Sequence, residues 1–254
     1  MISVCMATYN GGKYVKEQIA SIMPQLGLND ELVISDDGSC DNTLDIIEAF
    51  ADPRIKVVHN NKQPQRYIFG YTSLNFENAL NNASGDFIFL SDQDDVWLPD
   101  KVRLVMDKLA VADMILSDCS IGDDTLEITI KSKFGFENVR KGFWHNIVRS
   151  GYLGCCMAFR REVMKYFLPF PPDVPHDLWI GITAGARCNF QLIDTPTMIY
   201  RRHSGNVTPV RNKALKRLPG DRNRANDHSL SFKIRYRLII LWNYLKWLFK
   251  GAKS

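Results

Sequence analysis

The chain has 254 residues, of which 45% are hydrophobic and 24% are charged, and this composition excludes a disordered or fibrous protein. The length suits one large α/β domain or two small ones. Residues 211–254 contain twelve Lys or Arg and two acidic residues, a net charge of +10, so the overall +4 leaves −6 for residues 1–210; a basic tail beside an acidic body predicts an anionic partner for the tail.

Met1 is followed at once by a strand-like sequence without a basic stretch, so we expect no secretory leader. The cysteines show neither CxxC nor metal-binding spacing, and several lie in apolar stretches. We therefore expect reduced, buried thiols in a cytoplasmic protein. The six are Cys5, Cys40, Cys119, Cys155, Cys156 and Cys188.

The first third of the chain alternates strand and helix patterns. Short apolar runs predict strands at Ile2–Ala7, Glu31–Ser35 and Ile55–His59. Apolar stripes at helical spacing predict helices at Lys13–Met23, Asn42–Ala51 and Thr72–Asn82. This alternation predicts an α/β fold with a mostly parallel sheet and helices on both faces. Neither the GxGxxG nor the Walker pattern of nucleotide-binding loops occurs in it.

Two loops follow the first two predicted strands. The loop TYNGG at residues 8–12 could offer backbone N–H groups to a nucleotide, although its glycines also suit an ordinary turn. Asp36 and Asp37 follow the second strand. These two acids either cap and shape a turn, or one of them accepts a hydrogen bond from a nucleobase N–H. Both interpretations stay open from this segment alone.

The stretch Asp86–Lys101 carries the strongest chemical signal. Phe87–Leu90 predicts a buried strand, and Asp92, Asp94 and Asp95 follow it within four residues. Carboxylates this close raise one another's pKa unless a cation lies among them. A solvated acidic turn is the plainer alternative, but open α/β sheets bind ligands at the carboxyl ends of their strands. The order of strand, acids and helix start therefore favours a site for Mg²⁺ or Mn²⁺.

The middle of the chain predicts further elements of both kinds. We expect a helix at Pro99–Ala110, a strand at Met114–Ser117, a hairpin at Asp118–Lys133, and an irregular loop at Phe134–Ser150 that could cover a site. Gly151–Phe159 predicts another strand. Small residues at its start, Gly154 among them, would let a ligand approach the backbone, although a plain core strand is the commoner meaning.

The segment HDLW at residues 176–179 begins a predicted helix, Leu178–Ala186. Asp177 is either the N-cap of that helix or a carboxylate placed to act as a general base. Short predicted strands at Asn189–Ile193 and Thr197–Tyr200 then lead to a loop with two cations and an imidazole: Arg201, Arg202 and His203.

Ser231–Lys250 predicts a helix with apolar residues at helical spacing. Its longest uncharged run, Leu238–Leu245, is far shorter than the roughly 20 residues that span a bilayer. Basic and aromatic residues accompany that run. This pattern suits a helix packed on the protein, or a basic amphipathic helix lying on an anionic membrane surface.

Taken together, four segments resemble the family 2 glycosyltransferases of the GT-A fold: ATYN (7–10), SDDGS (35–39), SDQDD (91–95) and HDLW (176–179). The resemblance covers about residues 1–210, with 211–254 as a separate basic helical tail. Within it, SDQDDVW, HDLW and YRRHSGN are similar to the rhamnosyltransferase-like branch of bacterial surface-polysaccharide synthesis, such as that of capsule or O-antigen.

The resemblance also implies roles for single residues. Asp92-Gln93-Asp94 corresponds to the DxD motif, with Asp94 as the principal ligand of Mg²⁺ or Mn²⁺ and Asp92 assisting through the bound nucleotide. Asp177 corresponds to the catalytic base, although many members have Glu-Asp where this chain has His-Asp. His203 would complete the metal shell or contact the diphosphate, unless it is a loop histidine without a role. We expect the nucleoside to be contacted by Ala7, Thr8, Tyr9, Asp37 and Asp92. Candidates for contact with the diphosphate or the sugar are Arg201, Arg202, Gly154 and Asp95.

The implied activity is inverting transfer from a nucleotide-diphosphate sugar, because one base without a protein nucleophile implies a single displacement. The acceptor would be a saccharide or lipid-linked, and the protein would be peripheral on the inner face of the cell membrane. A sugar-nucleotide-binding scaffold without turnover and a nucleotidyltransferase on a related sheet are the alternatives. We expect no nucleic-acid partner, because no nucleic-acid-binding module is recognisable in the sequence. The sequence does not specify the donor, the linkage or the oligomeric state.

Overall fold

The computed structural model describes residues 1–61, 63–206 and 230–251. Its strands form one nine-stranded sheet in the order β3-β2-β1-β4-β8-β6-β9-β5, with β7 added on β6. The strands are β1 Ile2–Thr8, β2 Glu31–Asp36, β3 Ile55–His59, β4 Phe87–Asp92, β5 Val96–Trp97, β6 Met114–Gly122, β7 Ile128–Ile130, β8 Met157–Arg160 and β9 Phe190–Arg201.

Helices cover both faces of this sheet. They are α1 Val15–Ile22, α2 Thr43–Glu48, α3 Ile68–Asn82, α4 Lys101–Leu109, α5 Lys133–Glu137, α6 Phe143–Arg149, α7 His176–Ala184 and α8 Leu230–Gly251. Three short 3₁₀ segments, Met23–Gln25, Gly154–Cys156 and Arg161–Tyr166, connect them. The predicted α/β architecture is confirmed.

The sheet is parallel in its first half and mixed in its second. β3, β2, β1 and β4 are neighbours and run parallel. β8 then pairs antiparallel with both β4 and β6, whereas β9 runs parallel to β6. Because β1, β2 and β4 run in the same direction, their carboxyl ends lie at one edge, where ligands of such sheets bind. Their buried residues, including Val4, Ile34 and Leu90, are fully inaccessible and hold this edge in place.

Three predicted segments differ in kind from the structure, and two predicted limits are too short, since α3 begins at Ile68 and β6 continues to Gly122. Phe134–Ser150, expected as an irregular loop, contains the short helices α5 and α6, which pack through Phe134 and Phe143. The strand expected at Gly151–Phe159 is reduced to β8, because residues 154–156 form a 3₁₀ turn. The two strands expected at Asn189–Ile193 and Thr197–Tyr200 are one strand, since a register shift against β6 absorbs the interruption before Pro196.

The helix α8 packs along the body of the protein. Ile240 is fully buried, and the ring of Tyr244 lies 4.1 Å from that of Phe143. The ring of Trp247 lies 6.4 Å from that of Trp179 in α7. Residues 211–229 and 252–254 of the predicted tail lie outside the described residues, so the division of the chain at residue 210 stays a prediction.

Two further sequence expectations concern the cysteines and the membrane. All six cysteines are free, and four of them are buried, whereas Cys40 is exposed and Cys188 is half-buried. Of the helices within residues 1–61, 63–206 and 230–251, none combines the length and the apolar content needed to cross a bilayer.

Candidate functional site

The carboxyl ends of β1, β2 and β4 bring the first three sequence motifs together. In the sheet register, Ala7 lies beside Asp92, and Thr8 lies beside Asp36. Segments more than 80 residues apart in the chain therefore share one edge. The predicted nucleoside contacts and the predicted metal ligands meet there.

The structure gives Asp36 and Asp37 different surroundings. Asp36 accepts hydrogen bonds from the backbone N–H groups of Gly38 (3.0 Å) and Ser39 (2.9 Å), and it shapes a turn in which Gly38 has φ +79°. Asp37 is buried and accepts a hydrogen bond from the Asn60 side-chain amide at 3.0 Å. The turn-forming interpretation thus fits Asp36, and the predicted contact of Asp37 with a nucleobase stays a prediction.

Gln93, the middle residue of the predicted DxD motif, forms two hydrogen bonds with the loop after β1. The backbone N–H of Tyr9 donates to its Oε1 at 2.9 Å, and its Nε2 donates to the Tyr9 carbonyl at 3.1 Å. A side chain on Gly11 would collide with this amide, since its Cβ would lie 2.2 Å from Gln93 Oε1. This contact, which the sequence analysis missed, fixes the loop that carries Thr8 and the half-exposed Tyr9.

Asp92, Asp95 and Cys155 form a cluster whose potential ligand atoms lie within 4.8 Å of one another. Burial, followed by repulsion from Asp94, raises the pKa of Asp92 to about 7. The same causes raise the pKa of Asp95 above its usual range. Asp95 is fully buried, and its Oδ2 has no hydrogen-bond partner among the described residues.

These carboxylates fit a hard divalent cation. Their oxygen atoms are the donors that Mg²⁺ and Mn²⁺ prefer, and a cation would relieve the repulsion that raises the pKa of Asp92. Cys155 fits less well as a ligand, because its contact with Cys156, followed by burial, raises the pKa of its thiol. The carboxylates therefore suit such a cation better than the thiol does.

Asp94 lies at the junction with the end of β9. Its Oδ2 is 2.7 Å from Nε2 of His203 and 3.3 Å from Nδ2 of Asn206. The His203 ring lies 4.5 Å from that of Tyr14. His203, which was predicted to complete the metal shell or to contact the diphosphate, therefore lies against Asp94, the predicted principal ligand. Asn206 is a further partner that the sequence analysis did not single out.

Arg201 is buried and committed to protein groups. Its Nε donates to the Asp94 carbonyl at 2.9 Å, its Nη1 donates to the Asp124 carbonyl at 2.8 Å, and its Nη2 is paired with Glu17. Its backbone N–H donates to Asp95 at 3.0 Å. These contacts favour a structural role for Arg201 over the predicted contact with a diphosphate.

Arg202 takes a different position on the same strand end. Its backbone N–H donates to the Gly122 carbonyl at 2.9 Å, and its guanidinium lies 5.9 Å from the centre of the Tyr200 ring. Its predicted contact with a diphosphate or a sugar stays a prediction.

Asp177 lies in the first turn of α7 and is half-buried. Its carboxylate is close enough to Asp92 to contribute to the raised pKa of Asp92. Asp177 Oδ1 accepts a hydrogen bond from the Leu178 N–H at 2.6 Å, which is a local contact within the helix start. The fourth sequence motif therefore lies near Asp92, and the role of Asp177 as a base stays a prediction.

His176 explains the glycine at position 154. The imidazole is buried against the Phe76 ring, with 4.5 Å between ring centres, and burial lowers its pKa, so it is neutral near pH 7. A Cβ on Gly154 would lie 2.5 Å from His176 Nε2. Gly154 thus makes room for His176, and its predicted contact with a ligand stays a prediction.

Lys101 is a further group that the sequence analysis missed. Its side chain is buried. Its Nζ donates to the Cys155 carbonyl at 2.9 Å and lies 4.6 Å from the centre of the Trp97 ring. Burial lowers the pKa of this amine. A lysine inside a predicted helix gives no sign of burial in the sequence, so only the packing of α4 on the sheet identifies it.

The chain matches known proteins over most of its length. The model of the family described as "Glycosyl transferase family 2" matches residues 3–167, more than half of the chain. The dTDP-rhamnosyl transferase RfbG of Shigella flexneri is 29% identical over 219 residues, which cover 79% of this chain and 72% of RfbG.

A second relative and a solved structure extend the comparison. The UDP-Glc:alpha-D-GlcNAc-diphosphoundecaprenol beta-1,3-glucosyltransferase WfgD of Escherichia coli is 26% identical over 226 residues, 85% of this chain and 83% of WfgD. Residues 1–349 of S. aureus TarS superpose with a TM-score of 0.62 at 20% identity, covering 79% of this chain and 60% of that one. The latter likeness shows the fold alone and confirms the predicted GT-A fold, and the chain spans about three fifths of that structure.

Proposed function

Because the chain belongs to glycosyl transferase family 2 and is therefore a glycosyltransferase, we propose that it uses the edge formed by β1, β2 and β4 to transfer a sugar from a nucleotide-diphosphate donor. The observation that carries the proposal is that Thr8, Asp37 and Asp92 meet at this edge, with Asp177 close enough to Asp92 to affect its pKa. The loop after β1 and the buried Asp37 would hold the nucleoside. The acid cluster would face the diphosphate.

The reaction is proposed to depend on a divalent cation, Mg²⁺ or Mn²⁺. Asp94 and Asp92 are the proposed ligands, with Asp95 behind them and His203 orienting Asp94 through their 2.7 Å contact. When bound, such a cation supplies positive charge that stabilises the leaving diphosphate. Without it, the carboxylates would repel both one another and the donor.

Asp177 is the proposed general base, and it takes the proton from the attacking hydroxyl of the acceptor. Its half-buried position in the first turn of α7 leaves the carboxylate close to the acid cluster but on a separate element. We propose no protein nucleophile, so the sugar is transferred in one displacement and its anomeric configuration is inverted.

The two curated relatives guide the choice of donor and acceptor. RfbG is named a dTDP-rhamnosyl transferase, and WfgD is named for an acceptor that ends in diphosphoundecaprenol. We propose that this chain acts in bacterial surface-polysaccharide synthesis, with rhamnose as one candidate sugar and a saccharide or lipid-linked acceptor. A lipid-linked acceptor would place the protein at the inner face of the cell membrane, with the basic tail towards anionic lipid.

A panel of nucleotide-sugars tests this function. The purified chain is incubated with Mn²⁺ or Mg²⁺, with dTDP-, UDP- and GDP-linked sugars in turn, and with a short-chain lipid diphosphate-GlcNAc acceptor. We expect one donor to give acceptor-dependent release of nucleoside diphosphate and an equal amount of glycosylated product.

Two other results would contradict the function. Tight donor binding by calorimetry without release from any donor would identify a binding or scaffolding protein. Release of pyrophosphate from a nucleoside triphosphate in the presence of a sugar phosphate would identify a nucleotidyltransferase.

A further inference from the structure

Two neighbouring helices, α6 and α8, expose large apolar side chains to solvent. Trp144 in α6 is 73% exposed, and Trp242 and Phe249 in α8 are 61% and 71% exposed. We call the exposed apolar residues of these helices the aromatic face. Its members are Trp144, Val148, Ile234, Leu238, Trp242, Leu245 and Phe249.

The residues from α8 form a continuous stripe. They follow one another at steps of four, four, three and four residues, which places them on one side of a helix. The other side of α8 is occupied by contacts with the protein through Tyr236, Ile240, Tyr244 and Trp247. α8 therefore packs on the domain, which is one of the two alternatives that the sequence left open, and it also keeps an exposed apolar side.

The helix α6 adds to the stripe because it lies against α8. Its Phe143 ring is 4.1 Å from that of Tyr244, and Arg237 of α8 donates to the Val148 carbonyl at 3.2 Å. Trp144 and Val148 are thus exposed next to the α8 stripe. A surface made by two sequence-distant helices is one that the tail sequence alone does not predict.

Basic residues accompany the aromatic face in both of its chain segments. The sequence contains no Asp or Glu in residues 138–161 or in residues 228–254. Among the side chains of these segments that the structure describes, the exposed charged ones are Arg140, Lys141, Arg149, Arg235 and Lys246. Nζ of Lys246 lies 4.9 Å from the Trp242 ring centre, so a cation and an aromatic ring are presented together.

We propose that the aromatic face docks the protein on the surface of an anionic lipid bilayer. Trp residues beside Lys and Arg are the side chains that favour the membrane interface, and cations without neighbouring acids are attracted to anionic headgroups. A second copy of the chain fits less well, because a two-fold contact would bring the same cations face to face.

This face has a fixed relation to the proposed active site. Trp247 of α8 packs against Trp179 of α7, and α7 begins with His176 and Asp177. Docking would therefore hold Asp177 at a set distance from the bilayer. The docking itself stands on the exposed residues, whereas its use in presenting a lipid-linked acceptor rests on the proposed function.

Point variants test the proposal better than removal of the tail, since removing α8 would uncover Trp179. The full chain is sedimented with vesicles of phosphatidylglycerol and phosphatidylcholine, and with vesicles of phosphatidylcholine alone. We expect binding to the anionic vesicles that weakens with salt. The double variant Trp144→Ser/Trp242→Ser should bind at least about tenfold more weakly, because two interfacial anchors are lost.

Matched controls separate a specific face from general stickiness. Leu28 (93% exposed) and Val111 (70% exposed) are apolar residues outside the face, and Leu28→Ser/Val111→Ser should bind like the wild type. Arg149→Glu/Lys246→Glu should lose binding, whereas Lys16→Glu/Lys108→Glu, which changes exposed lysines of α1 and α4, should lose much less. The charge variants keep the test valid if the tryptophan variant does not fold.

The proposal is overturned if the tryptophan and charge variants bind anionic vesicles as well as their controls. It is also overturned if the wild type binds neither vesicle but forms a dimer, by analytical ultracentrifugation, that Trp144→Ser/Trp242→Ser abolishes. Vesicle binding needs neither donor nor acceptor. Failure of docking is therefore distinguishable from failure of sugar transfer, which is measured separately with a water-soluble acceptor.

Discussion

Asp94 differs from the neighbouring acids Asp92 and Asp95 in the partners that surround it. Asp95 is buried with one unpaired oxygen, and the pKa of Asp92 is raised to about 7 by burial and by repulsion from Asp94. Asp94 is oriented by His203 at 2.7 Å and by Asn206 at 3.3 Å. A carboxylate that two partners orient while its neighbours repel it is the one best placed to hold a cation against a diphosphate.

We expect Asp94→Asn to abolish metal-dependent donor binding and to leave the free energy of unfolding within about 1 kcal/mol of the wild type, because Asn keeps the shape and one acceptor oxygen. Isothermal titration of the nucleotide-sugar with and without Mn²⁺ measures the first effect, and urea unfolding measures the second. His203→Ala should weaken the same binding to a smaller extent. Full transfer activity in excess EDTA would contradict the metal requirement.

The residue-level predictions from the sequence were strongest where acids followed a strand. Roles for Asp92, Asp94 and Asp177 could be predicted because the motifs that contain them are visible in the chain, and these roles stay predictions. The two hydrogen bonds between Gln93 and Tyr9 and the burial of Lys101 could not be predicted, since both depend on which segments the sheet brings together. The protein partners of Arg201 could not be predicted either, because they are distant in sequence.

At the scale of the elements, the end of β9 is fastened to the loop between β4 and β5. Arg201 makes this connection through the Asp94 carbonyl and the Asp95 carboxylate, and it also donates to the Asp124 carbonyl in the turn between β6 and β7. Its guanidinium donates from three nitrogen atoms in a fixed planar fork, which the single nitrogen of an ammonium group does not reproduce. The position of the acid cluster therefore depends on a strand far along the chain.

We expect Arg201→Lys to lower the free energy of unfolding by about 1–3 kcal/mol, because buried acceptors lose their donors. Arg103, which is 62% exposed, provides the matched control, and Arg103→Lys should change the same quantity by less than about 0.5 kcal/mol. Urea unfolding followed by circular dichroism measures both variants. If Arg201→Lys unfolds like the wild type but binds the nucleotide-sugar more weakly, Arg201 contacts the diphosphate after all.

Elements with strong local patterns could be predicted from the sequence, and elements that depend on their neighbours could not. β1, β2 and β4 are short, largely buried runs and β3 is a partly exposed one, and each was placed within about a residue or two of its observed limits. The helices α5 and α6 are five and seven residues long, too short to be stable alone, and they form where Phe134 and Phe143 pack. The continuity of β9 depends on its pairing with β6, which the break before Pro196 conceals in the sequence.

At the scale of the whole molecule, the sheet edge and the aromatic face are linked through α7. The order of the four motifs along the chain was enough to indicate the family and the fold. The sequence of the tail indicated an apolar and basic helix. It did not indicate that one side of α8 packs against α6 and α7 while the other side stays exposed. That division of one helix between two surroundings is a property of the folded molecule only.

The central claim is that Asp177 acts as the base in sugar transfer at a donor site formed by the other three motifs. The most direct test compares Asp177→Asn with the wild type in kcat for transfer and in the Kd of the nucleotide-sugar. We expect a kcat about 10²–10⁴-fold lower with little change in Kd, because the variant keeps the donor site and loses the proton acceptor. A variant whose folded fraction transfers sugar at the wild-type rate, with only its free energy of unfolding lowered, would show that Asp177 caps α7 and is not the base.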